Sequence, residues 1–272
     1  MTKTENQSLV SIIMPCYNSA RYIDDAVNSV LAQIYENWEL LICDDGSTDN
    51  SQEKINDWVR CDSRIKSVKN IYKKGASGAR NSCLDVSNGR YIAFLDSDDR
   101  WKPTKLQAQL FQLQENDVYF SFSSYQCISE EGELLNVVMA PKKIGLDQLL
   151  FNNFIGCLTV VYDSHYFGKI KQPDIAKRND YALWLKMFRK FPEVKAVSIS
   201  EPLAEYRVNS YGLSSNKFDA IFYYIRVIQE FGRVSYIKSF LLLPCYLALI
   251  FVKKLSPYLY NAIVNNQFDS RK

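Results

Sequence analysis

The chain has 272 residues, 47% of them hydrophobic and 23% charged, with a formal net charge of only +3. That size and balance suit one large α/β domain or a domain with an appendage, and so small a charge argues against nucleic acid as the main partner. Seven cysteines without a CxxC pair and a single histidine, His165, exclude a thiolate zinc site, a disulfide framework and a His-rich metal centre. Any metal must then be held by oxygen, which points to Mg2+ or Mn2+. His165 has no partner motif and reads as a structural turn residue. The cysteine usage fits a reducing compartment, and the polar start Met1 to Gln7 carries no signal-peptide pattern.

Val10 to Met14 reads as a first strand, ended by Pro15. Ala20 to Gln33 has apolar residues at helical spacing. Glu39 to Cys43 is a second strand, followed by the polar loop Asp44 to Asp49. Ser51 to Val59 is a helix, capped by Ser47, Thr48 or Asp49. Ile65 to Val68 is a short third strand. Gly75 to Asn81 leads into a helix through Val86. Tyr91 to Leu95 is a fourth strand, running directly into Asp96-Ser97-Asp98-Asp99. Lys102 to Glu115 is a helix with Pro103 in its first turn. Alternating strands and helices through about residue 100 predict right-handed βαβ units and a mostly parallel sheet.

The pattern then changes. Val118 to Ser123 and Tyr125 to Ile128 read as two strands, Leu146 to Asn153 as a short helix, Asp180 to Arg189 as a strongly amphipathic helix, and Val194 to Ile199 as a late strand. Ser239 to Val252 is the most hydrophobic window. It is shorter than a bilayer span, Pro244 interrupts it, and Lys238, Lys253 and Lys254 flank it. That predicts an interfacial segment over residues 236–254 resting on anionic headgroups. Packing on the domain, or on a second copy of the chain in a homodimer, is the alternative cover.

Three loops should meet at the carboxyl edge of the sheet: Pro15-Cys-Tyr17-Asn18, Asp44 to Asp49, and Asp96 to Asp99. Ligands of open α/β sheets gather at such edges. Three carboxylates within four positions repel one another unless a proton or cation shares the site. A divalent ion offsetting the charge of a diphosphate leaving group suits them. Asp45 can accept hydrogen bonds from a base or ribose, Gly46 permits a tight turn, and Lys73, Lys74 and Arg80 supply positive charge. Asp180 is a candidate base whose carboxylate the helix dipole would keep ionised. Simple N-capping by Asn179 or Asp180 is the plainer alternative.

Val10-Ser-Ile-Ile-Met-Pro-Cys-Tyr-Asn18, Asp44-Asp-Gly-Ser-Thr-Asp49, Gly78-Ala-Arg-Asn81 and Asp96-Ser-Asp-Asp99 together resemble the family 2 glycosyltransferases, over about residues 9 to 215. The resemblance implies a GT-A fold, with a Rossmann-like, mostly parallel central sheet and flanking helices. It also implies inverting transfer from a nucleotide-sugar with Mn2+ or Mg2+. It assigns the nucleotide to Pro15, Tyr17, Asn18, Asp45, Lys74, Arg80, Asp96 and Ser97, with Asp45 on the uracil of a UDP-sugar. Asp98 and Asp96 match the ends of the DxD motif, with Asp98 the direct metal ligand. Asp99, Arg207 and Ser214 fall at the donor sugar and pyrophosphate. Asp180, in Arg178-Asn-Asp-Tyr-Ala-Leu-Trp184, matches the family's general base, although Asn179 stands where Glu is usual.

The expected division is a glycosyltransferase domain over residues 1–215 (nucleotide half 1–100, acceptor half 101–215) and a helical, membrane-associating extension over 216–272. Relatives so organised build bacterial O-antigen, capsule or teichuronic acid. The expected acceptor is therefore an oligosaccharide or polyprenyl-diphosphate-linked sugar, at the cytoplasmic face of the inner membrane. Two rivals remain: a haloacid-dehalogenase-like phosphatase with Asp96 as nucleophile, and a non-catalytic nucleotide-sugar binder.

Overall fold

The computed structural model describes residues 8–114, 118–208, 217–256, 259, 260 and 262. The elements run β1 (Val10–Cys16), α1 (Ile23–Leu31), β2 (Trp38–Asp44), α2 (Ser51–Cys61), β3 (Ile65–Lys69), α3 (Ala76–Val86), β4 (Tyr91–Phe94), β5 (Arg100–Trp101) and α4 (Lys105–Gln114). They continue with β6 (Phe120–Ile128), β7 (Leu134–Val138), β8 (Lys143–Ile144), α5 (Leu146–Leu149), β9 (Val161–Asp163), α6 (Ser164–Phe167), α7 (Asn179–Lys190), β10 (Ala196–Arg207), α8 (Lys217–Glu230) and α9 (Tyr236–Leu255).

Among the described residues one sheet runs β3-β2-β1-β4-β9-β6-β10-β5, with β7 on β6 and β8 on β10. The strands β3, β2, β1 and β4 pair in parallel, as the βαβ pattern predicts. Beyond them β9 runs antiparallel to both β4 and β6, so the second half of the sheet is mixed. The chain moves from β1 outward to β2 and β3, then returns to place β4 on β1's other side. That reversal opens a crevice at the carboxyl ends of β1 and β4, where α/β folds hold ligands.

Each central strand is buried on both faces, which is why β1, β2 and β4 read as continuous apolar runs rather than alternating ones. Ile12, Met14, Leu40, Ile42 and Ala93 face α1 and α4 in one core layer. Ile13, Leu41, Ile92 and Phe94 face the other layer, where Trp184 of α7 packs edge-on against Phe94, ring centroids 5.9 Å apart. Tyr224 of α8 and Tyr246 of α9 join this second layer, so the C-terminal helices share the core of the domain.

Four elements differ from the sequence pattern. The two strands expected around residue 124 are one, β6, because Ser123 and Ser124 both stay buried and β10 takes up the irregularity instead. β10 runs on to Arg207 through register shifts on either side of Pro202, the kind of place where a sheet tolerates proline. The helix expected over Leu146 to Asn153 stops after one turn. The apolar C-terminal window forms the 20-residue helix α9 with Pro244 inside it. No helix among the described residues is long and apolar enough to cross a membrane.

Gly89 sets the approach of β4 to β1. Its backbone N–H donates to Ser11 Oγ at 2.7 Å, and that hydroxyl donates to the buried Glu39 carboxylate, also at 2.7 Å. A methyl group on Gly89 would overlap the backbone nitrogen of Ser11. Gly89→Ala is therefore expected to destabilise the fold by about 2 kcal/mol, read as a lower urea midpoint with an unchanged slope.

Candidate active site

The loop after β1 turns at Asn18, which adopts a left-handed φ of 48°. Its side-chain Oδ1 accepts from the Thr48 backbone N–H at 2.7 Å, and its own N–H donates to Ser47 Oγ at 2.9 Å. Asn18 thus stitches the first loop to the second. Gly46 takes φ 84° in that second loop, the conformation the sequence assigned to it. The capping differs from expectation. Asn50 is the N-cap of α2 without a side-chain bond, and Asp49 instead accepts from the N–H groups of Ser51 and Ala20.

Asp45 is buried, and both its carboxylate oxygens are engaged. Oδ1 accepts from Asn70 Nδ2 and Oδ2 from the Gly75 N–H, each at 2.6 Å. Its orientation is therefore fixed by the segment that opens α3. Tyr17 is exposed, with the Lys74 ammonium 4.8 Å from its ring centroid, and Pro15 is buried within β1. Lys73 pairs instead with Asp174. Asn70 gave no signal in the sequence, because an asparagine after a strand is ordinary turn chemistry.

The third loop is tied to the first by Ser97, whose hydroxyl donates to Ser19 Oγ at 2.7 Å. Asp96 forms an ion pair with Arg80, which rises from the first turns of α3 and is almost fully buried. Asp99 is 1% exposed, and Oδ1 accepts from the Arg207 N–H at 2.9 Å. Desolvation, then the neighbouring Asp98 and Asp96, push its carboxyl well above the usual range. The close set of acids in this loop, with its oxygen-only donors, fits a hard divalent cation. Among the described residues no three His, Cys, Asp or Glu side chains converge on one point, so a cation here would need oxygens from a bound ligand as well.

Arg207 is placed otherwise than its sequence assignment to the donor. Its buried guanidinium donates to the backbone carbonyls of Asp98 and Glu130, at 2.9 and 2.7 Å, and pairs with Asp25 at 3.1 Å. It braces the acidic loop from behind. Ser214 lies outside the described residues.

Next to this cluster lies a cleft of about 530 Å³ that brings Arg80, Asp96, Asp99 and Asp180 to one space. Asp180 sits in the first turn of α7. Arg178 is the N-cap, with φ 61° and no side-chain cap bond, so neither Asn179 nor Asp180 caps the helix. Asn179 instead binds Ser77 of α3 at 2.9 Å and accepts from the Asp180 N–H at 2.8 Å. Asp180 Oδ2 accepts from Asn153 Nδ2 at 3.0 Å. The expectation that the helix dipole holds this carboxyl low is overturned. Desolvation in the cleft raises it, and the Tyr181 N–H, Arg80, Asn153 and Arg178 offset that only in part. Asn153 was invisible in the sequence, since only the tertiary fold carries it to Asp180.

The Glycosyl transferase family 2 profile matches residues 11–167. The chain is 40% identical over 237 residues to the putative teichuronic acid biosynthesis glycosyltransferase TuaG of Bacillus subtilis, covering 87% of this chain and 93% of that protein. It is also 40% identical over 240 residues to WfgD of Escherichia coli, a UDP-Glc:α-D-GlcNAc-diphosphoundecaprenol β-1,3-glucosyltransferase, covering 86% and 93%. In fold it resembles Staphylococcus aureus TarS residues 1–349 in complex with UDP-GlcNAc, with a TM-score of 0.67 at 17% identity over 89% of this chain and 72% of that one. This chain belongs to glycosyltransferase family 2, the inverting sugar transferases with a GT-A fold. The phosphatase reading, with Asp96 as a nucleophile, falls with that membership.

Removing the cation between the two carboxylate groups tests the electrostatics directly. Arg80→Ala should destabilise the protein by about 3 kcal/mol in chemical denaturation, because the packing of a buried guanidinium and its ion pair with Asp96 are lost together.

Proposed function

We propose that the protein transfers a hexose from a UDP-sugar to a hydroxyl of a saccharide carried on a polyprenyl diphosphate, in the synthesis of a bacterial surface polysaccharide. The observation that carries this reading is the single cleft joining Asp96 and Asp99 to Asp180. It sets a leaving-group site and a base around one sugar-sized space. The activities in the names of TuaG and WfgD support the choice of acceptor.

Asp45, held by Asn70 and Gly75, would orient the uracil, with Pro15, Tyr17, Asn18 and Lys74 around the nucleoside and Ser97 closing the floor. Asp98 and Asp96 would hold Mn2+ or Mg2+, which offsets the charge of the departing diphosphate when bound. Asp180 takes the proton of the acceptor hydroxyl as that oxygen attacks the anomeric carbon. UDP leaves from the opposite face, so the configuration inverts. Proximity in the cleft and its fixed charges supply most of the acceleration.

α9 supports a peripheral contact with the cytoplasmic face of the inner membrane. Ser239, Leu242 and Tyr246 are buried against the domain, whereas Ile237, Phe240, Leu241 and Phe251 are exposed. An apolar face flanked by lysines suits an anionic bilayer. Flotation with phosphatidylglycerol vesicles should recover the full chain, and Phe240→Glu with Leu241→Glu should abolish recovery. Binding that persists in the double variant would refute the anchor.

Asp180→Asn should lower turnover on the order of a thousandfold with little change in donor affinity. The same variant should melt at a higher temperature at pH 7. A carboxyl whose folded pKa is raised loses stability as pH climbs through that value, and the amide avoids this. By the same sign, the acid limb of the wild-type rate profile should lie above the ordinary carboxyl value near 3.8. Wild-type turnover in Asp180→Asn would remove the base from this mechanism.

A further inference from the structure

The cleft has a second character at its wall. Besides the charged groups it is lined by four tyrosines: Tyr125, Tyr206, Tyr223 and Tyr260. Tyr125 and Tyr206 come from β6 and β10, their ring centroids 6.3 Å apart. Tyr223 belongs to α8, and Tyr260 lies just beyond α9, tied there by its N–H to the Ser256 carbonyl at 3.0 Å. All four line the same cleft as Asp180. None of these rings belongs to the loops after β1, β2 and β4, to which the nucleotide is assigned above.

Arg178 lines the same wall, immediately before α7. Its guanidinium donates to the Tyr246 hydroxyl of α9 and lies 5.5 Å from that ring's centroid. It forms no ion pair with a carboxylate among the described residues, although its charge also acts on Asp180. A guanidinium at the wall of a cleft is well shaped for phosphate.

We infer that the C-terminal helices are a wall of the acceptor site, where Tyr223 and Tyr260 receive the sugar ring of the acceptor and Arg178 its diphosphate. This rests on the acceptor class proposed above. Aromatic faces match the apolar face of a pyranose and discriminate by shape. The proton-bearing hydroxyl then points toward Asp180, and the lipid chain leaves along the side where α9 exposes its apolar face. The C-terminal segment is therefore a specificity element as well as an anchor.

The test uses the full chain with two acceptors: GlcNAc α-diphosphate on a short alkyl chain, and GlcNAc methyl glycoside. Tyr223→Ala should raise KM for both by about tenfold, and Tyr223→Phe should restore it. Arg178→Gln should remove the preference for the diphosphate acceptor over the glycoside. UDP affinity with Mn2+, measured by calorimetry, should stay at the wild-type value and thereby report folding. Acceptor KM within twofold of wild type in both Tyr223→Ala and Tyr260→Ala would overturn the inference while leaving the proposed function intact. A wild-type protein that uses neither acceptor would overturn the acceptor class itself, and this wall with it.

Discussion

One buried guanidinium conditions the whole site. Arg80 stands between the carboxylates at the end of β4 and the carboxylate at the start of α7, paired with Asp96 and within electrostatic reach of Asp180. Without a cation at that point, Asp96, Asp99 and Asp180 would face one cleft with nothing between them. The neighbouring sequence follows from the need to bury it. Ala76, Ser77, Gly78 and Ala79 are all small, which lets α3 settle closely against the sheet. At Gly78 even a single methyl group would collide with the carbonyl of Lys73, in the segment that fixes Asp45. The small residues therefore serve the Asp45 loop and the acid cluster together.

The topology then separates two chemical duties. The strands β1, β2 and β4 deliver the loops of Asp45 and of Asp96 to Asp99 within the first hundred residues of the chain, while Asp180 arrives on a helix from its second half. They meet because α7 packs Trp184 and Phe188 into the same aromatic layer as Phe94 and Phe120. The distance between the acidic loop and Asp180 is thus set by ring packing in the core, a rigid arrangement. Side chains at the cleft can vary without shifting it.

The sequence made the nucleotide half legible because its signals are local. A buried strand followed by acids, or Gly46 where the turn needs a positive φ, depends on a few adjacent residues. The other half was read less well because its determinants are long-range. β6 reads as two strands until β10 is seen taking up its irregularity around Pro202. Arg207 reads as a donor contact until its guanidinium is found among the carbonyls of Asp98, Ser129 and Glu130. The Asp180 carboxyl reads as a dipole-stabilised anion, but desolvation in the cleft reverses the direction despite the hydrogen bond from Asn153. Enclosure is a property of the assembled fold, and no local pattern encodes it.

The stack of Tyr224 on Tyr246 has a mechanical consequence. The rings lie 3.8 Å apart and within 4° of parallel, and Arg178 grips the second of them at the threshold of α7. A helix held this way cannot rotate about its own axis independently of the domain. Its bare apolar edge is locked in azimuth, so the molecule has one resting attitude on any planar apolar surface. A freely tethered enzyme must find its lipid-borne substrate by tumbling through all orientations. With α9 resting on a bilayer as proposed, the angle between that surface and the cleft would already be built in, and the search would reduce to sliding in two dimensions.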